Sequence, residues 1–381
     1  MKRFISVIIV LILLAVSAGA GAKYTPPYST EPTAEVWHTY DPELHYFYQQ
    51  LTDAEKRRFS SRYDCIALGK PELWQYPCGE LSYLNIARVN YVLLFDCPEL
   101  LYLPENYGAD LTLIQKPDDA VCARYPALIK ERLSLCMEAL DNIRKEPEWG
   151  ESDFEKELAA DRYLVRHCQY QMEEDLGNGE NLDDRLRTAY GGLVYGKAVC
   201  EGYAAAMTLA MRCFGIPCVR TNGVYYPEKG QEGGHAWNIV QIDGEWYHED
   251  ATWNDMDDET YLEDFYPFLN NSSSDVYNVL RNDPARVQLN FRNPLSTSLR
   301  DNYYVRMGQS VGDDWRNEIV QIVKNARSAG KHAVGIRFPD SAVLDAALDT
   351  MNFSGLLMFG LLYFRMQAEP IWGTNVLYMW W

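Results

Sequence analysis

Residues 191–255 read GGLVYGKAVCEGYAAAMTLAMRCFGIPCVRTNGVYYPEKGQEGGHAWNIVQIDGEWYHEDATWND, and the reading of this stretch decides the fold. From Glu201 to Phe214 the side chains of Tyr203, Met207, Leu209, Met211 and Phe214, with Ala204, Ala205, Ala206 and Ala210 between them, leave no polar face. A helix of that kind must be buried on every side. Its alanines let sheet backbone approach closely. Gly215 stops it, and Pro217 bars its continuation. Strands are expected from Cys218 to Val224, His235 to Ile242 and Glu245 to Thr252. The last two flank Asp243-Gly244, the strongest short hairpin signal in the chain. A helix buried against an antiparallel sheet, an α+β core, follows from pattern alone.

The same stretch carries the parts of a nucleophilic site in the order Cys200, His235, Asp250. A thiol in the first turn of a helix sits at the positive end of the helix dipole, which favours the thiolate. An imidazole beside it can take the proton, and a carboxylate behind the imidazole fixes its tautomer and stabilises its charge. With Asp243-Gly244 as a two-residue turn, Ile242 opposes Glu245, and Asp250 falls opposite Trp237, one step diagonal from His235. Opposed residues share a face, as do residues two apart, so this register puts His235 and Asp250 on one side of the hairpin. Each residue also has a plainer reading. Cys200 could be a small core residue or half a disulfide, and His235 a structural histidine. Trp237 and Trp253 could be core rather than walls of a substrate groove. Gly233 and Gly234 beside His235 speak for an accessible site. His248 with Glu249 suggests a metal pair, but no tight ligand motif accompanies them and no metal is expected.

Three blocks in this order resemble the transglutaminase-like cysteine superfamily, in its secreted bacterial branch. They are Ala198-Val199-Cys200-Glu201-Gly202-Tyr203-Ala204, then His235-Ala236-Trp237-Asn238, then Trp246-Tyr247 with Asp250-Ala251-Thr252-Trp253. The similarity runs over about Phe154 to Asp255. It implies a papain-like core with Cys200 as nucleophile, His235 as general base and acid, and Asp250 orienting His235. The oxyanion donors it implies are the backbone N–H of Cys200 and a group just upstream, for which Tyr195 is the candidate. The implied chemistry is acyl-enzyme formation on an amide, resolved by water in a peptidase or amidase and by an amine in a transglutaminase. The named residues serve both, and nothing visible excludes water, which favours hydrolysis. Glu249 stands where the family more often has an apolar residue and is expected to face away from His235. The alternative from another class is a catalytically silent surface binding or adhesion module on the same fold.

Working outward, Lys2 and Arg3, the charge-free apolar run from Phe4 to Val16 and the small residues Ser17 to Ala22 have the grammar of a secretory signal peptide cut after Ala22. An uncleaved anchor is the other reading. Either way the body is expected to be secreted or at the cell surface. Residues 23–42 hold Pro26, Pro27, Pro32 and Pro42 and read as a linker. Helical spacing then makes Glu43 to about Asn142 a mainly helical region, with a capping box at Thr52 and Glu55. The catalytic core is expected over 143–274 and a small C-terminal α/β domain over 275–381. In the latter, helices from Asp314 to Ala329 and Ser341 to Met351 alternate with strands from His332 to Phe338, Gly355 to Met366 and Asn375 to Trp381.

A length of 381 residues suits two or three such domains. The formal net charge is −19, and more negative still without Lys2 and Arg3, so the surface repels phosphate backbones and nucleic acid is not an expected partner. Nine cysteines in an exported chain suggest up to four disulfides and one free thiol. No CxxC, clustered Cys/His spacing or calcium-loop pattern is present, so no cofactor is expected. The expected substrate is a protein or peptide, and export points to cell-surface proteins or peptidoglycan peptides.

Overall fold

The computed structural model describes residues 44–75, 80–101, 118–171, 184–225, 232–255, 265–277, 279–354 and 367–381. The expected signal segment and linker, Cys78 and the strand expected from Gly355 to Met366 lie outside the described residues.

Side-chain caps set the helix starts. Helices α1 (Asp53–Leu68) and α2 (Tyr83–Phe95) open on capping boxes, Thr52 with Glu55 and Ser82 with Asn85. Helix α3 (Asp119–Ile143) starts from Asp118, and α4 (Asp153–His167) from the box of Ser152 with Glu155. The helical region expected from Glu43 opens on a 3₁₀ turn at Tyr48–Gln50, and the Thr52 cap starts a new helix directly after it. Two short parallel strands follow α4, β1 (Gln169–Tyr170) and β2 (Lys197–Ala198). Between them lie a 3₁₀ turn at Asp184–Arg187 and a π-turn at Gly191–Tyr195. Helix α5 (Cys200–Cys213) comes next.

The central antiparallel sheet runs β5-β4-β3-β6, from β3 (Cys218–Tyr225), β4 (Gly233–Ile242), β5 (Glu245–Glu249) and β6 (Leu280–Asn282). Asp243 and Gly244 both take positive φ, 48° and 85°, the primed turn that matches strand twist. The register is the one this turn dictates, from Ile242 opposite Glu245 to Asn238 opposite Glu249. Strand β5 stops short of the expected Thr252. Asp250 instead caps helix α6 (Ala251–Asn254), its Oδ1 accepting from the Trp253 N–H at 3.1 Å. Beyond it lie α7 (Ser273–Val276), α8 (Pro284–Gln288), α9 (Tyr303–Arg306) and α10 (Trp315–Ser328), then β7 (Ala333–Arg337), α11 (Ser341–Ser354), β8 (Gln367–Pro370) and β9 (Val376–Trp380).

Two cores sandwich the central sheet. Cys218, Val240, Ile242 and Tyr247 join α4 and α5 on one side. Val219 and Ile239 join Phe47, Tyr91 and Phe95 of the N-terminal helices on the other. Arg212, at the end of α5, ties the layers together. Its guanidinium lies 2.5 Å from the Asp96 carboxylate and donates to the Cys218 carbonyl at 3.1 Å. The second sheet, ordered β7-β9-β8, packs Ile336, Phe338 and Leu377 against Trp315, Ile319 and Val323 of α10. Its Val376, Tyr378 and neighbouring Ile371 join the central core, and Arg337 of β7 meets Asp275 of α7 at 3.0 Å. These contacts fix the β8–β9 turn beside α6.

None of the eight described cysteines forms a disulfide, which corrects the expectation from their count. They are dispersed through separate cores rather than paired across loops, although Cys65 of α1 and Cys122 of α3 approach to 3.6 Å between sulfurs. Among the described residues no helix is long and apolar enough to cross a membrane.

Candidate active site

Cys200 is the first residue of α5, behind an apolar N-cap, Val199, whose side chain makes no capping bond. The positive end of the helix is therefore not claimed by a side-chain acceptor from its own cap. Gly202 explains how the surrounding backbone crowds in. A Cβ there would sit 2.3 Å from the Leu186 carbonyl oxygen and 2.8 Å from Ala198 Cβ.

His235 lies near the start of β4 with 6% exposure, and its Nε2 is 2.6 Å from Asp250 Oδ2, itself 5% exposed. The Cys200 side chain lies beside the same ring and favours its charged form. Burial works against an imidazolium here. The charge and hydrogen bond of Asp250, helped by Cys200, outweigh it and push His235 up to about 10. Aromatic rings complete its surroundings. Trp253 stacks at 4.4 Å and 8°, Trp237 lies near-parallel at 6.0 Å, and Tyr225 presents an edge at 6.5 Å. Such faces suit a cation.

The structure thus brings Cys200, His235 and Asp250 together and treats the other candidates differently. Trp237 is 1% exposed and gives its indole N–H to His248 Nδ1 at 2.9 Å, so it backs the histidine from inside and is not a substrate-facing wall. Trp253 is only partly buried. Tyr195 packs beside Leu186 and Val199, with its hydroxyl accepting from Arg185 at 3.2 Å and the guanidinium 4.0 Å above its ring. An indole can only donate, so His248 Nδ1 accepts and its Nε2–H donates to Ser273 Oγ at 3.0 Å. Burial lowers His248 to about 3, with Asp275 opposing and Arg286 assisting, which keeps it a neutral structural group. No group of three or more His, Cys, Asp or Glu side chains is placed to hold a metal among the described residues.

Sequence reasoning overlooked the support beneath Asp250. Glu249 points away from His235 and meets Asp161 of α4, one turn beyond Glu157. All three carboxyls are buried, and burial raises each, Glu249 and Glu157 well above the usual carboxylate range. Asn254 donates to Asp161 at 3.1 Å and accepts from the Phe268 N–H at 2.9 Å, which anchors α6. Tyr203 donates to Asp255 just past its end. Trp372, in the β8–β9 turn, reaches Trp253 edge-to-face at 5.3 Å. No local signal in the sequence marks these contacts, because each partner comes from a distant element.

Residues 143–251 match the family model described as the transglutaminase-like superfamily. The chain is 31% identical over 112 residues to kyphoscoliosis peptidase of Mus musculus, across 27% of this chain and 16% of that protein. The match thus spans about a sixth of the length of this curated relative. Among solved structures, one described as a TGase is 21% identical with a TM-score of 0.26, covering 32% of each chain. A candidate cysteine protease from Cytophaga hutchinsonii is 21% identical with a TM-score of 0.25, over 31% of this chain and 37% of that one.

Proposed function

For a chain whose residues 143–251 match the model of the transglutaminase-like superfamily, we propose a cysteine enzyme that acts on amide bonds through an acyl-enzyme at Cys200. The observation that carries the reading is the buried His235–Asp250 contact at 2.6 Å with the Cys200 thiol on the same ring. Asp250 accepts the Nε2–H, which leaves Nδ1 to exchange a proton with sulfur. With the imidazolium stabilised, sulfur holds the electron pair that attacks the amide carbon.

As the C–S bond forms, the carbonyl oxygen becomes an oxyanion. The backbone N–H of Cys200, in the first turn of α5, is the donor we assign to it, since the Val199 side chain caps no N–H there. Collapse breaks the C–N bond, and His235 passes its proton to the departing amine. Water, or a second amine, then gives a proton to His235 and attacks the thioester carbon, and the thiolate leaves. Hydrolysis is the favoured outcome, because Cys200 is only partly buried and so within reach of water. Protein or peptide substrates at the cell surface, peptidoglycan peptides included, fit the export grammar of residues 1–22.

A peptide library assayed with and without added primary amine tests the proposal, with primary-amine release and amine incorporation read by mass spectrometry. The expected result is turnover that disappears in Cys200→Ala. Turnover that is absent, or equal in wild type and Cys200→Ala, overturns the enzyme and leaves the surface binding module.

A further inference from the structure

One peptide separates the triad carboxylate from a second acid group. Glu249 ends β5 and Asp250 follows it, so their side chains leave on opposite sides. Asp250 goes to His235, and Glu249 goes to Asp161 of α4. Hydrogen bonds draw these groups into a ring. The Asp250 N–H donates to the Phe268 carbonyl at 3.2 Å, the Phe268 N–H to Asn254 Oδ1 at 2.9 Å, and Asn254 Nδ2 to Asp161 Oδ1 at 3.1 Å. The Glu249–Asp161 contact is the remaining link. Both acids are 0% exposed. Among the described residues, no N–H or hydroxyl reaches Asp161 Oδ2 or either carboxyl oxygen of Glu249. A buried acceptor without a donor is costly, and two bare carboxylates side by side cost more. An acid proton between the two side chains is the donor that serves them.

We infer that Asp161 and Glu249 are positioning residues for the triad: one shared proton joins them and closes the ring that fixes Asp250 on His235, and its loss opens the ring. The inference rests on the proposed chemistry at Cys200 and adds an alkaline limit that the triad itself does not set. The surroundings oppose a second charge. Glu157 and Asp250 act on Glu249, Asp250 and Asp255 act on Asp161, and Cys218 of β3 is close enough to feel Glu249. Beside Glu157 come Asp153 and Asp301, the latter bridged by Arg300 and Arg306, each at 2.8 Å. Asn270 donates to Glu157 Oε2 at 2.6 Å. The proton is therefore held past the ordinary carboxylate range. Once it leaves, like charges push Glu249 and Asp161 apart, and the displacement reaches Asp250 through one peptide.

The test uses the full-length protein labelled with 15N-histidine. The short His235 Nε2–H bond to Asp250 gives a far-downfield proton resonance, assigned by its loss in Asp250→Asn. In the wild type it should be present at pH 6 and lost as pH rises toward 9. Glu249→Gln and Asp161→Asn each replace the shared proton by a permanent amide N–H. In both variants the resonance should therefore survive to about one pH unit or more beyond the wild type. Two variants guard against one that fails to fold. Loss at the same pH in the wild type and in the folded variants overturns the positioning pair, as does a wild-type resonance unchanged to pH 9. Iodoacetamide labelling of Cys200 at pH 6 separates this failure from that of the enzyme. Labelling faster than in the unfolded chain, with a resonance that neither variant shifts, sinks the pair and spares the enzyme. Slow labelling sinks the enzyme whatever the resonance does.

Discussion

With Nε2 on the Asp250 carboxylate and its ring against Trp253, His235 keeps a proton that a free imidazole releases near pH 6.5. Replacing Asp250 by Asn preserves the size of the partner and its cap on α6 but removes the charge. The expected effect is a loss of roughly a hundredfold or more in Cys200-dependent turnover at pH 7, measured as kcat/KM. The same pair has a stability signature. The folded pKa, about 10, lies above the unfolded one, so the stabilisation is complete below about pH 6.5 and is lost as pH rises toward 10. Thermal melts of wild type and Asp250→Asn should therefore differ most near pH 6 and converge toward pH 10. A gap that widens with rising pH contradicts the assignment. At this scale the sequence was informative. Residue types at a helix start and on two hairpin strands, together with the Asp243-Gly244 turn, were enough to bring His235 and Asp250 together. Trp237 was misjudged because alternation along a strand tells which face a side chain takes, and not whether that face is covered.

Glu249 and Asp161 lie close together in the core, and Glu157 stands near them, so every negative charge added there is opposed by burial and by its neighbours. Carboxyls whose folded pKa is raised stabilise the fold only at low pH and work against it as pH climbs through that pKa. Glu249→Gln should therefore raise Tm at pH 8, by about 2–4 °C for each kcal/mol recovered, and change it less at pH 5. A lower Tm at pH 8 would show that the carboxylate is needed as such. Gly202→Ala tests the packing at the start of α5. With the Leu186 oxygen 2.3 Å from the new Cβ, backbone must shift, so both Tm and Cys200 reactivity should fall. The helix and hairpin were readable because burial imposes a period and Asp-Gly imposes a turn. The end of β5 was not, since a capping side chain at Asp250 competes with continued pairing, and strand propensity does not register that competition.

At the scale of the whole molecule, contacts between distant segments decide what the sequence withholds. Arg212 and Asp96 are 0% and 1% exposed and join α5 to the N-terminal helices, so removing either side chain takes a buried carboxylate–guanidinium contact out of the core. Asp96→Ala should cost about 3–5 kcal/mol, read by denaturant melts, and a change near zero would deny the pair its part in holding the layers together. Trp372 reaches Trp253 from the far end of the chain, a contact that no local pattern encodes. Cysteine counting failed for the same reason, because spacing cannot tell a core thiol from half a disulfide. That dispersion now provides the most direct measurement. Of the eight described cysteines six are buried, and among them all it is Cys200 that lies beside the His235 ring. A short pulse of iodoacetamide at pH 6, followed by peptide mapping of all nine cysteines, compares each thiol in the folded and unfolded chain. The expected result is modification of Cys200 at least tenfold faster than in the unfolded chain, lost in His235→Ala. Alkylation of Cys200 at or below the unfolded rate, or unchanged in His235→Ala, would contradict a thiolate–imidazolium pair at this site.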